Sequence, residues 1–390
     1  MNEWKTVRLG DVCEQINGVS YKPADVRDSL TNESCTLLRA NNIFEDKLNY
    51  DELVFVDKKR VSNNQYMKKG DIIICASSGS KHLVGKAACL LEDKELTFGA
   101  FCKVIRADSI QYDYLKHYFF SPTYRSVISH LSEGANINNI KAENLENLQI
   151  PLPPIETQKQ IASTLDKCTS VIEKHKKMLQ KYDTLIKSRF IEMFGDPHNN
   201  TKYTYKNVGD FTTVTSGGTP DRKNIEYWKN GNIPWVKTTE LQNNELTNVE
   251  EFITQKGLDE SSAKMMPIGT LLIAMYGQGK TRGMTAYLGI EASTNQACAC
   301  ILPSKVINQK FLWYYFILSY DKLRDLAKGG NQPNLNGNMI KDFPVLMPPI
   351  EMQNEYVSFV QQIDKSKFAV QKSLEKTETL YKSLMQQYFG

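Results

Sequence analysis

Along the middle of the chain, Ile161, Leu165, Cys168, Ile172, His175, Leu179, Tyr182, Ile186 and Met193 follow one another in steps of four and three. Only Arg189 breaks the stripe, and the remaining faces are charged. A seven-residue period with one narrow apolar seam predicts a long helix suited to a two-helix coiled coil. The alternative is that such a helix packs only on its own globular neighbour. Pro153 and Pro154 exclude helix before them and favour a start just after, with Glu156 in the first turn, where the macrodipole favours a carboxylate. No Gly or Pro interrupts residues 155 to 194. At 1.5 Å per residue the helix is predicted to be roughly 58 Å long.

The same pattern is written twice. Pro153-Pro154-Ile155-Glu156-x-Gln158 returns as Pro348-Pro349-Ile350-Glu351-x-Gln353, and Phe194-Gly195 returns as Phe389-Gly390. Both returns share one offset, 195 residues, which is half of the 390 present. The second helix keeps the phase with Tyr356, Val360, Ile363, Val370, Leu374, Tyr381, Leu384 and Tyr388, and Lys367 and Thr377 are its polar exceptions. An internal repeat of this length divides the chain into 1–150, a globular part; 151–195, the first long helix; 196–346, a second globular part; and 347–390, the second helix.

Each globular part reads as a mixed α/β unit of short strands. In the first, Trp4 to Asp11 opens as an alternating strand, Thr36-Leu37-Leu38-Arg39 is another, and Ile72 to Ala76 is the most β-prone run. Tyr112 to Leu131 reads as helical, and Glu133 to Ile140 as a polar, Asn-rich loop. After the breaker-rich Gly195 to Asn200, the second part repeats the plan. Val208-Gly209-Asp210-Phe211 echoes Leu9-Gly10-Asp11-Val12, and Gly269 to Ala274 matches Gly70 to Cys75. Ile233 to Thr239 falls where Leu38 to Asn41 fell, and Lys328 to Leu335 stands at the place of the first Asn-rich loop. Regular elements align while loops differ. A duplicated scaffold with divergent loops suggests one kind of job done on two different targets.

Composition adds bounds. The chain is 41% hydrophobic and 24% charged, as ordinary globular proteins are. No run approaches the ~18 apolar residues of a membrane span, and the start lacks the apolar core of a signal peptide. Eight scattered cysteines without CxxC spacing read as buried thiols in a reducing cytoplasm, with no metal site. A net charge of +4 permits nucleic-acid binding without arguing for it.

Two globular parts alternating with two proline-started helices resemble the specificity subunit of type I restriction-modification enzymes. The resemblance covers essentially the whole chain. Its marks are the two Pro-Pro-Ile-Glu-x-Gln starts, Met193-Phe194-Gly195-Asp196-Pro197, Tyr276-Gly277-Gln278-Gly279-Lys280-Thr281-Arg282-Gly283, Thr294-Asn295-Gln296-Ala297 and Gly330-Asn331-Gln332-Pro333-Asn334-Leu335. The first part departs from the pattern, with Ser77-Ser78-Gly79-Ser80-Lys81 in place of the Gly-Gln-Gly-Lys loop and Phe98-Gly99 in place of Asn-Gln. The resemblance implies an α+β fold: two similar target recognition domains alternating with two long helices that pair as an antiparallel coiled coil. It implies a cytoplasmic, non-catalytic subunit serving defence against foreign DNA. Each domain would read half of a split double-stranded target, and the helices would set the half-site distance. Two copies of a modification (methyltransferase) subunit would dock, together with ATP-dependent restriction subunits. S-adenosylmethionine, ATP and magnesium would belong to those partners, and this chain would bind no cofactor.

The loop chemistry suits DNA. Lys280 and Arg282 can meet phosphates or guanine edges, and Gln278 can pair with adenine. Thr281, Asn295, Gln296, Asn331, Gln332 and Asn334 sit in the same or neighbouring loops, with Lys237 and Thr238 after the Ile233–Val236 run. In the first half Arg39, Asn41, Asn42, Lys81, Lys86, Asn136 and Asn138 occupy the corresponding loops. The competing reading for any one amide is a turn former bonded to its own backbone. Lys174-His175-Lys176-Lys177 can touch a DNA spacer or simply be a solvated face. Trp235 and Trp313 are expected in cores.

Other function classes fit the sequence less well. Ala274-x4-Gly279-Lys280-Thr281 fits a relaxed phosphate loop, which would make the chain a nucleotide hydrolase with a helical dimerisation arm. A true phosphate loop opens a helix, whereas Arg282 to Leu288 looks like a returning strand. A non-catalytic coiled-coil adaptor would leave the divergent polar loops without a role. No Asn/Asp-Pro-Pro-aromatic methyltransferase motif, metal cluster or nucleophile beside a base stands out.

Overall fold

The computed structural model describes residues 4–44, 46–80, 83–133, 139–277, 279–327 and 334–390. It forms two compact units whose boundaries fall inside the long helices. One holds Met1–Lys177 with Gln371–Gly390, and the other holds Met178–Val370.

The first unit contains β1 (Thr6–Arg8), β2 (Cys13–Asn17), β3 (Val26–Arg27), β4 (Ser34–Leu38), β5 (Ile43–Phe44), β6 (Lys47–Leu48), β7 (Val54–Asp57), β8 (Ile72–Cys75), β9 (Ala87–Cys89), β10 (Leu96–Phe98), β11 (Cys102–Ala107) and β12 (Gln149–Pro151). Its helices are α1 (Tyr112–Phe119), α2 (Pro122–Glu133), α3 (Ala142–Glu146) and the start of α4 (Ile155–Phe194). One sheet runs β2-β11-β8-β9 and a second runs β10-β4-β7-β3. The apolar run Ile72–Cys75 is a central strand buried along its whole length, which is why it reads as a continuous apolar stretch and not as an alternating one; Ser34–Leu38 is likewise central and buried.

The second unit contains β13 (Tyr205–Asn207), β14 (Val214–Ser216), β15 (Ile233–Val236), β16 (Asn244–Leu246), β17 (Glu251–Ile253), β18 (Leu271–Ala274), β19 (Thr285–Leu288), β20 (Ser293–Thr294), β21 (Cys298–Ile301) and β22 (Pro344–Leu346). Its helices are α5 (Val208–Phe211), α6 (Gln255–Asp259), α7 (Gln309–Leu318), α8 (Tyr320–Asp325), α9 (Gly337–Lys341) and the start of α10 (Ile350–Phe389). The sheets run β14-β21-β18-β19-β16 and β17-β15-β20. The plan of the first unit is repeated, including a parallel strand pair: β10 with β4 there, β15 with β20 here.

Both long helices are 40 residues. Within the first unit, Ile161 and Leu165 near the start of α4 share a core with Met385 and Phe389 near the end of α10. Within the second, Phe190 and Phe194 at the end of α4 share a core with Tyr356 and Val360 at the start of α10. The pairing is therefore antiparallel; Ile161, Leu165, Tyr356 and Val360 contribute to it from the seven-residue seam, and Phe190, Phe194, Met385 and Phe389 from the position just beside it. The two charged breaks in the seam are ion-paired, Arg189 with Glu355 at 2.8 Å and Lys367 with Asp183 at 2.6 Å, while the Thr377 hydroxyl donates to Ser373 O one turn back. Exposed pairs of this kind contribute little stability. Their use here is to let a charged residue occupy a seam position.

Two rings anchor the returning helix ends. Phe389 packs against Tyr114 and Tyr118 with centroids 5.1 and 6.0 Å apart, and Phe194 packs against Phe311 and Tyr356 at 5.3 and 5.8 Å. The Phe-Gly repeat is thus a duplicated plug. Trp235 and Trp313 lie in cores as expected. All eight cysteines are free thiols, and burial pushes Cys13, Cys89 and Cys102 up to about 12. No helix among the described residues is long and apolar enough to cross a membrane.

Candidate nucleic-acid interface

Four loops of each unit are tied together by a frame of backbone hydrogen bonds, and the frame recurs. In the first unit, Gly99 N–H donates to Leu38 O at 2.9 Å, joining the loops after β10 and β4. Ala76 N–H donates to Phe101 O at 2.9 Å, joining the loops after β8 and β10, and Ile140 N–H donates to Ala76 O at 2.7 Å, bringing in the segment after α2. In the second unit the matching bonds are Asn295 N–H to Val236 O at 3.1 Å, Met275 N–H to Ala297 O at 2.9 Å and Leu335 N–H to Met275 O at 3.0 Å. A glycine approach completes each frame. A Cβ on Gly18 would sit 2.1 Å from Gly99 O, and one on Gly217 would sit 2.0 Å from Thr294 O, so only glycine lets these chains cross so closely.

Sequence reasoning thus chose loops that the fold does bring together within each unit. Lys81, Asn136, Asn138, Gln278, Asn331 and Gln332 lie outside the described residues. The others differ in what their side chains do. Lys280 and Gln296 are exposed; Thr281, Arg282, Asn295 and Asn334 are half-buried. Asn295 Oδ1 accepts from Ala297 N–H at 3.1 Å, so its carbonyl shapes its own turn. Gln296 Oε1 accepts from the Thr219 hydroxyl. Thr238 is half-buried at the start of a short 3-10 turn, Thr238–Glu240. Arg39 Nη2 donates to Glu52 O at 2.9 Å, and exposed Asn41 approaches Glu52 Oε2 at 3.4 Å. Lys86 is half-buried at the base of the loop after β8, where its carbonyl accepts from Cys75 N–H at 2.9 Å.

Two expectations need correction. Asn42 is fully buried. Its Oδ1 accepts from Arg39 N–H at 2.8 Å, and its Nδ2 donates to Asn49 O and Asp51 O at 3.0 and 2.9 Å. Every bond this amide makes shapes the loop from inside, so it presents nothing to a base edge. Lys237 is held by Glu250 and Glu251 at 2.8 and 2.9 Å. The hydrogen bonds it donates to those carboxylates keep its ammonium above the ordinary lysine value, and its charge is neutralised within its own unit.

The glycine-rich stretch is a hairpin connection. Gly283 N–H donates to Ala274 O and Ala274 N–H donates to Met284 O, each at 2.9 Å, and β19 follows directly. No helix N-terminus faces this loop from its own continuation, as a phosphate loop requires. Gly277, Gly279 and Gly283 all have positive φ, at 141°, 59° and 86°. Sequence reasoning missed what holds the loop: Tyr320 Oη donates to Lys280 O at 2.7 Å, and Arg324 Nη1 donates to Arg282 O at 2.8 Å. These two are four apart on α8 and so share a face. Their spacing was visible, but their target lies some forty positions back in the chain and no local pattern pointed to it. Among the described residues, no group of three or more His, Cys, Asp or Glu side chains is placed to hold a metal.

Comparison with known proteins bears on this geometry. The family model described as the type I restriction modification DNA specificity domain matches twice, over residues 1–181 and 200–378. The chain is 29% identical to the StySPI specificity subunit of Salmonella potsdam, across 98% of this chain and 87% of that protein. It is 27% identical to the EcoKI specificity subunit of Escherichia coli (strain K12), across 99% and 88%. The crystal structure of a type I restriction-modification S subunit from M. genitalium aligns with a TM-score of 0.63 at 14% identity, covering 100% of this chain and 97% of that one; at that identity the likeness speaks for the fold alone. The chain belongs to the type I restriction-modification specificity family. It is a DNA-recognition subunit of a multisubunit system and not the catalytic component.

Proposed function

We propose that the two loop clusters read the two halves of a split double-stranded DNA target, each half different. The observation that carries this reading is the duplicated hydrogen-bond frame holding loops of unlike sequence. A common scaffold presents both sets of side chains, and the side chains differ. In this reading Lys280, Arg282 and Gln278 in the second unit, and Arg39, Asn41, Lys81 and Lys86 in the first, meet phosphates or base edges. Asn136, Asn138, Thr238, Thr281, Asn295, Gln296, Asn331, Gln332 and Asn334 border them. Two copies of a modification subunit carry out adenine methylation with S-adenosylmethionine, and restriction subunits supply ATP- and magnesium-dependent cleavage. The long helices serve as the spacer between the half-sites.

Coexpression with the neighbouring genes, followed by genome-wide mapping of methylated adenines, tests the reading. The expected result is one motif with two unlike halves around a fixed unspecified gap. A continuous motif, or two identical halves, would overturn it.

A further inference from the structure

Phe101 stands out within the first loop cluster. The residue is 71% exposed, while Phe98, three positions earlier, is fully buried in β10. The exposure does not come from a loose backbone. Phe101 O accepts from Ala76 N–H at 2.9 Å and from Ser77 N–H at 3.0 Å, Ala100 N–H donates to Val19 O at 3.0 Å, and Cys102 N–H donates to Gly99 O at 2.8 Å. A large apolar ring is thus held out into solvent by a pinned turn, next to the polar loop that begins at Ser77.

The other unit shows that the scaffold does not need a ring there. The carbonyl that takes the equivalent bond, from Met275 N–H, belongs to Ala297. The frame is the same with a methyl group in place of a benzyl group. What Phe101 adds is therefore specific to the target of the first unit. Loop neighbours Ser77, Ser78 and Ser80 are polar, half-buried or exposed, so among the described residues of that loop the ring stands beside hydrogen-bonding groups. A protein-docking face would call for a contiguous apolar area of several residues. A lone apolar contact among polar readers is the arrangement that recognises the C5-methyl group of thymine in the major groove.

We propose that Phe101 is a specificity-determining residue that contacts a thymine methyl in the half-site read by the first unit. This rests on the reading of the loop clusters as DNA readers. The test uses the full chain assembled with its coexpressed modification subunit. Bound duplexes are selected from a random pool to define the target. Each thymine of the first half-site is then replaced singly by deoxyuridine, which removes only the methyl group. At one position deoxyuridine should weaken wild-type binding roughly fourfold, the effect expected for one buried methyl. Phe101→Ala should bind the thymine and deoxyuridine duplexes equally, and Phe101→Leu should restore part of the difference. Its exposure predicts an unchanged melting temperature for both variants, which is checked alongside. Equal binding of all deoxyuridine duplexes by the wild type overturns the proposal, as does a half-site without thymine or an unchanged methyl effect in Phe101→Ala. A 2-aminopurine signal of base unstacking beside the ring, lost in Phe101→Ala, would also overturn it, since the ring would then be a wedge. Failure to select any sequence would instead reject the DNA-reading assignment itself.

Discussion

Gln158 Oε1 accepts the backbone N–H of Gln111 at 2.9 Å, tying the first turn of α4 to the residue that begins α1. The same amide donates to Pro153 O at 2.8 Å. Gln353 repeats both bonds in the second unit, accepting from Asn308 N–H at 2.8 Å and donating to Pro348 O at 2.8 Å. Both glutamines are buried. The glutamine of the Pro-Pro-Ile-Glu-x-Gln motif is thus a clasp between a globular unit and its long helix.

Replacing either clasp with leucine leaves a backbone donor and a carbonyl without partners. Each orphaned buried group costs about 1–3 kcal/mol. Gln158→Leu and Gln353→Leu should therefore lower the thermal unfolding midpoint by similar amounts. Calorimetry of the two variants checks this, and a drop in only one would show that the clasps are not equivalent.

Tyr320 and Arg324 hold the glycine-rich loop of the second unit through its carbonyls. Removing one such bond, in Tyr320→Phe, should loosen the loop without touching DNA. At about 1 kcal/mol for a hydrogen bond, affinity for a target duplex should fall roughly fivefold. The dependence of log affinity on log salt should stay as in the wild type, because no phosphate contact is lost. Lys280→Ala removes a positive charge, so that slope should shrink by about 0.9. Salt titrations of the two variants separate a positioning role from a phosphate contact.

Asp166 in α4 joins the first unit to its helix by accepting from His117 Nε2 at 2.9 Å and from Lys116 Nζ at 2.8 Å. Partial burial works against its charged form, yet the hydrogen bonds from His117 and Lys116 outweigh it and hold the carboxyl below the ordinary range. A depressed folded value gives stability that is complete above the unfolded pKa, about 3.9. It is lost as pH falls through the folded one. Lys116 has the opposite sign: burial opposes its charge, but Asp166 and Asp113 raise its pKa overall. That contribution is present below about 10.4 and fades as pH rises through the folded value. Asp166→Asn should flatten the stability profile at both its acid and its alkaline end. Denaturant midpoints measured across pH test this, and an unaltered profile would show the cluster to be inert.

The long helices were legible because their information is local. The proline start, the seam and the Phe-Gly exit all lie within one segment, and α4 and α10 begin and end where those signals place them. Even the seam breaks, Arg189 and Lys367, are explained by ion pairs across the seam. Between Tyr112 and Leu131 the pattern missed a break. The Ser121 hydroxyl accepts Tyr124 N–H at 3.1 Å, and Pro122 opens a new helix, α2, where its missing N–H does no harm. Which loops gather into one cluster was legible from the repeat, since aligning the halves isolates what differs. Individual roles were not. Asn42 and Asn41 are neighbours of the same type, but one is enclosed by the Asn49–Asp51 turn and the other faces solvent. Which way an amide faces depends on pairings with distant residues, and spacing carries no trace of them.

The most direct test of two separate readers is a comparison of methylation maps for the wild type and the Lys280→Ala/Arg282→Ala variant, each coexpressed with the modification subunit. Both substitutions fall in the second loop cluster. Relaxed base preference should appear in one half of the motif, with the other half and the gap between them unchanged. Relaxation of both halves together, or a change in the gap, would contradict the account.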